Sequence, residues 1–177
     1  GHNAHFGNCR NPWHTDYCTG GSSSGSGAAV AARFVFGALG SDTGGSIRLP
    51  ASLCGVTGIK GTQTRVSRYG AMPLSFSADN VGPLARPARD CARLMNIIAG
   101  HDPQDPTSSR EPVPDYEAAL TGDVRGLRIG VPRNYFFDGA ESEIGAAIES
   151  ALKALEGAGA SLVPISLPHM DAVATYG

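Results

Sequence analysis

Two short segments of this chain combine hydroxyls with glycine pairs: Gly20-Gly21-Ser22-Ser23-Ser24-Gly25-Ser26-Gly27 and Gly40-Ser41-Asp42-Thr43-Gly44-Gly45-Ser46-Ile47-Arg48-Leu49-Pro50. In each, a serine follows directly on a Gly-Gly pair, Ser22 in the first and Ser46 in the second. With no Cβ atoms beside it, the backbone there can approach another group closely. The second segment also supplies a run of main-chain N–H groups around its serine, the raw material of an oxyanion hole. A serine hydroxyl beside such donors suits acyl transfer, provided a base takes its proton.

Glycine and serine are also the residues of flexible linkers. Three features speak against that reading. The segments are short and do not repeat, the helix-forming run Ala28-Ala29-Val30-Ala31-Ala32 follows the first, and apolar Ile47 and Leu49 follow Ser46 in the second. A second motif overlaps the first segment: Gly21-Ser22-Ser23-Ser24-Gly25 satisfies the G-x-S-x-G pattern of a hydrolase nucleophile elbow. That motif needs an apolar strand before it, and Thr15-Asp16-Tyr17-Cys18-Thr19 is none; only His101 and His169 follow as candidate bases. His2, His5, Cys9, His14 and Cys18 cluster without zinc-module spacing or a C-x-x-C pair, so no metal site is assigned. No phosphate-loop pattern is present.

From Asn11-Pro12-Trp13 through both serine segments to Gly82-Pro83-Leu84, the chain resembles the amidase signature family. The family's hallmarks are a Gly-Gly-Ser-Ser-Gly-Gly-like segment, then Gly-Ser/Thr-Asp-Thr-Gly-Gly-Ser-Ile-Arg, then a Gly-Arg-Val-Ser-like stretch. The likeness is most specific over residues 11–60 and loosens toward residue 135. It implies the α/β amidase signature fold, a mixed sheet core flanked by helices. It also implies a Ser–Ser–Lys triad, with Ser46 as nucleophile and Ser22, preceded by a cis Gly21–Ser22 bond, as the bridging serine. Ser23 falls on a supporting serine, and the backbone N–H groups of Thr43, Gly44, Gly45 and Ser46 fall on the oxyanion hole. Asp42 and Arg48 are expected to brace the nucleophile loop, and Asp79 to be structural. Gly61 stands where the family has proline, and Ala78 where it has leucine.

The family's lysine lies upstream of the first serine segment, whereas no lysine precedes Lys60 here. Lys60 falls on a different family position, after the nucleophile. The chain is therefore expected to be an internal piece of one amidase signature domain, 1–177, cut at both ends and inactive alone. Were it complete, a non-catalytic scaffold of the same fold would be the reading. The implied activity is hydrolysis of a small carboxamide through an acyl-enzyme, with no cofactor. The family holds stand-alone amidases and also the A subunit of glutamyl-tRNA amidotransferases, which takes ammonia from glutamine for partner subunits. A homodimer or those partner subunits are thus the expected associates.

Bulk properties fit this. Fourteen basic against sixteen acidic residues leave a net charge of −2 without a basic block, so nothing points to direct nucleic-acid binding. Cys9, Cys18, Cys54 and Cys91 lack framework spacing and read as free thiols of a reducing cytosol. No apolar run is long enough for a membrane span.

The elements that must position the serines follow from periodicity. Residues 28–36 read as a helix running into a strand at 35–39. Pro87 to Gly100 reads as an amphipathic helix with Cys91, Leu94, Met95 and Ile98 on one face. Residues 101–114 read as a polar, proline-rich connector. Arg128–Pro132 reads as a strand, Glu143–Glu156 as a helix and Ala160–Ile165 as a strand, an α/β unit.

Overall fold

The first serine cluster feeds directly into a helix, α1 (Ser24–Ala31), in a computed structural model that describes residues 1–172. This helix starts four residues earlier than the alanine run predicts and stops well before residue 36. Tertiary contacts override the weak helix propensity of its glycines and serines. Ser24 Oγ donates to Gly20 O at 2.7 Å, and Ser26 Oγ donates to Leu39 O at 2.7 Å. The helix ends because Arg33 turns into the left-handed region, φ 64°. The chain then enters β3 (Gly37–Asp42), later than the predicted 35–39.

The described residues group into two units, Gly1–Leu120 and one from Thr121 onward. In the first, a short hairpin of β1 (His2–Asn3) and β2 (Gly7–Asn8) precedes α1. Helix α2 (Arg48–Cys54) follows β3, and β4 (Thr57–Gly58), β5 (Asn80–Ala85) and α3 (Ala88–Ile98) complete the unit. The sheet runs β3-β5-β4 and is antiparallel throughout, with Asp42 opposite Asn80 and Gly37 opposite Ala85. Its core joins Val30 of α1, Ile47, Ala51 of α2 and Leu84 of β5, with Ala38 and Val56 packed against it. Ile47 is the residue after Ser46, so the second serine segment is rooted in the core. Helix α3 buries Cys91 and Met95 on the predicted face.

Residues 101–114 do more than connect. Asp105 and Ser108 are buried, Asp105 accepts from the Arg68 N–H, and Arg65 donates to the carbonyls of Glu111 and Pro112. The loop is part of the first unit, and the boundary between units comes after it.

The second unit is the predicted strand–helix–strand: β6 (Arg128–Pro132), α4 (Ser142–Gly157) and β7 (Ser161–Ile165). Its two strands pair in parallel from Arg128–Ser161 to Pro132–Ile165. Among the described residues, no helix is long and apolar enough to cross a membrane.

Thr64 of the first unit is strained, more than Arg33, because it is β-branched. It sits at φ 72°, where such a side chain is an outlier. The left-handed region costs an L-residue roughly 1–2 kcal/mol, part of which glycine's extra unfolded-state freedom takes back. Thr64→Gly is expected to stabilise the protein by about 0.5–1 kcal/mol, read as a higher melting temperature; an unchanged or lower value would contradict this.

Candidate active site

The two glycine-serine segments meet beside α1 and β3. The bridge between them is Ser23. Its backbone N–H donates to the carbonyl of Ser46 at 3.1 Å. Its Oγ donates to Ser41 O and accepts from Ser41 N–H, each at 3.2 Å. Gly40 has to be glycine at this junction, because a Cβ there would stand 2.6 Å from Ser23 Oγ. Ser23 is therefore fully engaged by backbone, which removes it as the nucleophile of a G-x-S-x-G elbow. His101, a candidate base for that elbow, is bonded to Ser108 within its own loop.

The Gly21–Ser22 peptide is cis. Ser22 is exposed and Ser46 half-buried. Among the described residues, neither hydroxyl makes a hydrogen bond, to the other or to anything else. Catalytic hydrogen bonds often form only once substrate is bound. The N–H groups of Thr43, Gly44, Gly45 and Ser46 likewise have no acceptor among the described residues. Gly45 holds φ 144°, a value open to glycine, and it turns the chain into Ser46. Consecutive unclaimed donors beside a free hydroxyl are what an oxyanion needs.

Asp42 and Arg48 hold the exit of this loop. Asp42 is fully buried and accepts from Arg48 Nε at 3.0 Å and Nη2 at 2.9 Å, a two-point pair. It also accepts from the N–H groups of Ile47 at 3.1 Å and Arg48 at 3.3 Å. Burial pushes the Asp42 carboxyl up, but the Arg48 guanidinium and these two N–H donors outweigh it and hold the carboxyl below its ordinary value of 3.8. A carboxyl lowered on folding adds stability above its unfolded pKa, near pH 4, and that stability is lost as pH falls through the lowered folded value. Asp42→Asn is expected to cost roughly 2–3 kcal/mol at neutral pH, less than a fully buried pair because the Arg48 side chain is 53% exposed. Thermal melts from pH 7 to 3 check this: the variant should lose less stability on acidification than the wild type, and parallel curves would refute the assignment.

Sequence reasoning missed several braces. Asn11 Nδ2 donates to Leu53 O at 2.7 Å and Trp13 Nε1 to Cys54 O at 2.7 Å, satisfying the last carbonyls of α2. Thr43 Oγ1 donates to Asp79, whose other oxygen takes the N–H groups of Leu74 and Ser75. A pocket of about 200 Å³ opens beside Thr43, lined in part by Ser41, Arg68, Leu74, Phe76 and Asp79. Lys60 lines a cavity with Arg65, Met95 and Tyr116 in which neither serine takes part. The buried thiols Cys54 and Cys91 are pushed up by burial, Cys91 to about 11, so they are inert packing groups.

A family model described as Amidase matches residues 1–176. The chain belongs to the amidase signature family. This amidase-family chain is 56% identical over 171 residues to the glutamyl-tRNA(Gln) amidotransferase A subunit of Pelobacter propionicus, covering 96% of the chain and 35% of that protein. The crystal structure of the same kind of amidotransferase protein from Thermotoga maritima superposes with a TM-score of 0.92 at 45% identity, covering 97% of this chain and 38% of that one. The native peptide amidase of Stenotrophomonas maltophilia superposes at 0.88 and 41% identity, covering 99% and 36%. The amidase-family chain thus spans about a third of the length of the relatives it matches, and its fold is that of the amidase signature proteins.

Proposed function

We propose that this chain carries the serine half of an amide-hydrolysing site, with Ser46 as nucleophile and Ser22 as the relay that moves its proton. The observation that carries the reading is the run of unclaimed N–H groups from Thr43 to Ser46, beside an unengaged Ser46 hydroxyl and tied to the Ser22 segment by the Ser23 N–H bond to the Ser46 carbonyl. Ser46 Oγ attacks the carboxamide carbon while its proton passes to Ser22, and the N–H run takes the negative charge of the tetrahedral oxygen. The relay returns the proton to the leaving nitrogen, the C–N bond breaks, and water hydrolyses the ester. On this reading the base behind Ser22 is the family's lysine, which the resemblance places before the first serine segment. One amidase signature domain continuing beyond this chain is the setting. Fluorophosphonate labelling of the full-length protein and its Ser46→Ala variant tests the assignment.

A second, narrower reading is the A subunit of a glutamyl-tRNA amidotransferase, with glutamine as the amide and ammonia passed to partner subunits in the cytoplasm. Among the solved structures, the 45% identity to the amidotransferase A subunit against 41% to the peptide amidase supports it. Activity in isolation separates the two. A stand-alone amidase turns over without partners, whereas the amidotransferase component needs its companions and tRNA for full glutaminase rates.

A further inference from the structure

The loop carrying the free donors is short of tethers upstream of Ser46. Gly44 and Gly45 have no side chains, and a Cβ at Gly44 would have no atom within 4 Å. The tether on that side is the Thr43 hydroxyl. It donates to Asp79, a carboxylate left only 9% exposed. The other oxygen of Asp79 accepts the N–H groups of Leu74 at 2.8 Å and Ser75 at 2.9 Å, which fixes the carboxylate in place independently of Thr43. Asp79 directly precedes Asn80, the partner of Asp42 across β3 and β5. Two carboxylates therefore flank one loop, Asp42 at its exit through Ile47 and Arg48, Asp79 at its entrance through Thr43.

We propose that Asp79 is a positioning residue for hydrolysis at Ser46: by holding Thr43 Oγ1 it sets the direction of the Thr43–Ser46 main-chain donors. The proposal rests on the reading of Ser46 given above. Anchoring the 74–75 turn alone would use only one oxygen of Asp79, the one that accepts Leu74 and Ser75. The oxygen on Thr43 has a different job. Donors misaligned by a fraction of an ångström still let substrate bind, but they meet the oxyanion poorly, so the effect falls on kcat rather than KM.

Thr43→Val in the full-length protein keeps the side chain's shape and removes its donor. Its kcat on a turned-over amide is expected to fall about 30- to 100-fold, with KM changed less than about threefold. Thr43→Ser, which returns a hydroxyl, is expected to rescue most of that loss. Asp79→Asn should lower kcat less in the Thr43→Val background than in the wild type, because the contact is already gone. Wild-type kcat in Thr43→Val, a loss that serine does not rescue, or fully additive effects of the two substitutions would each overturn the proposal. Undiminished fluorophosphonate labelling of Ser46→Ala would instead overturn the nucleophile assignment itself, so the two failures are told apart.

Discussion

Ser46→Ala in the full-length protein is expected to abolish covalent labelling by a fluorophosphonate probe and to lower amide turnover by on the order of 10⁴- to 10⁶-fold. The probe needs a nucleophilic oxygen facing a cradle of N–H donors. Ser46 combines an unbonded hydroxyl with unclaimed N–H groups on its own residue and the three before it. The variant should fold, because the Ser46 carbonyl that accepts from Ser23 and the buried Ile47 beside it are untouched. Loss of labelling with an unchanged melting temperature is the outcome that supports the assignment. Labelling as strong as the wild type would move the nucleophile to another hydroxyl.

Ser22→Ala is expected to lower kcat about 10²- to 10⁴-fold, the range spanned by loss of a proton-transfer group, with a much smaller change in KM. The hydroxyl of Ser22 supports nothing else: it is exposed and makes no hydrogen bond among the described residues. Ser23 and Ser24, by contrast, bind Ser41 and Gly20 and hold the segment together. Probe labelling of Ser22→Ala should slow but not vanish, since the nucleophile remains. Near-normal turnover would take Ser22 out of the proton path.

Much of the candidate site is legible in the sequence because its residues are local. Ser22, Ser23, Thr43 to Ser46, Asp42 and Arg48 fall in two short segments, and the structure brings those segments side by side. The amphipathic patterns of α3, β6, α4 and β7 were equally readable, since each has a repeating apolar face or strand of ordinary length. The failures have physical causes. Helix α1 starts among residues of low helix propensity because side-chain bonds to Gly20 and Leu39 hold it there. Strand β5 is the middle of the sheet yet contains Gly82-Pro83, a pair that argues against a central strand. The Thr43–Asp79 contact joins residues 36 positions apart, and no periodicity encodes a partner at that distance.

The Ser23 bridge also makes the two serine segments one mechanical unit. Both serines, the four N–H donors and the Asp42–Arg48 pair lie between Gly20 and Cys54, while Asn11, Trp13 and Asp79 brace them from outside that stretch. A change that moves one segment is therefore carried to the other through a single main-chain bond, from Ser23 N–H to the Ser46 carbonyl.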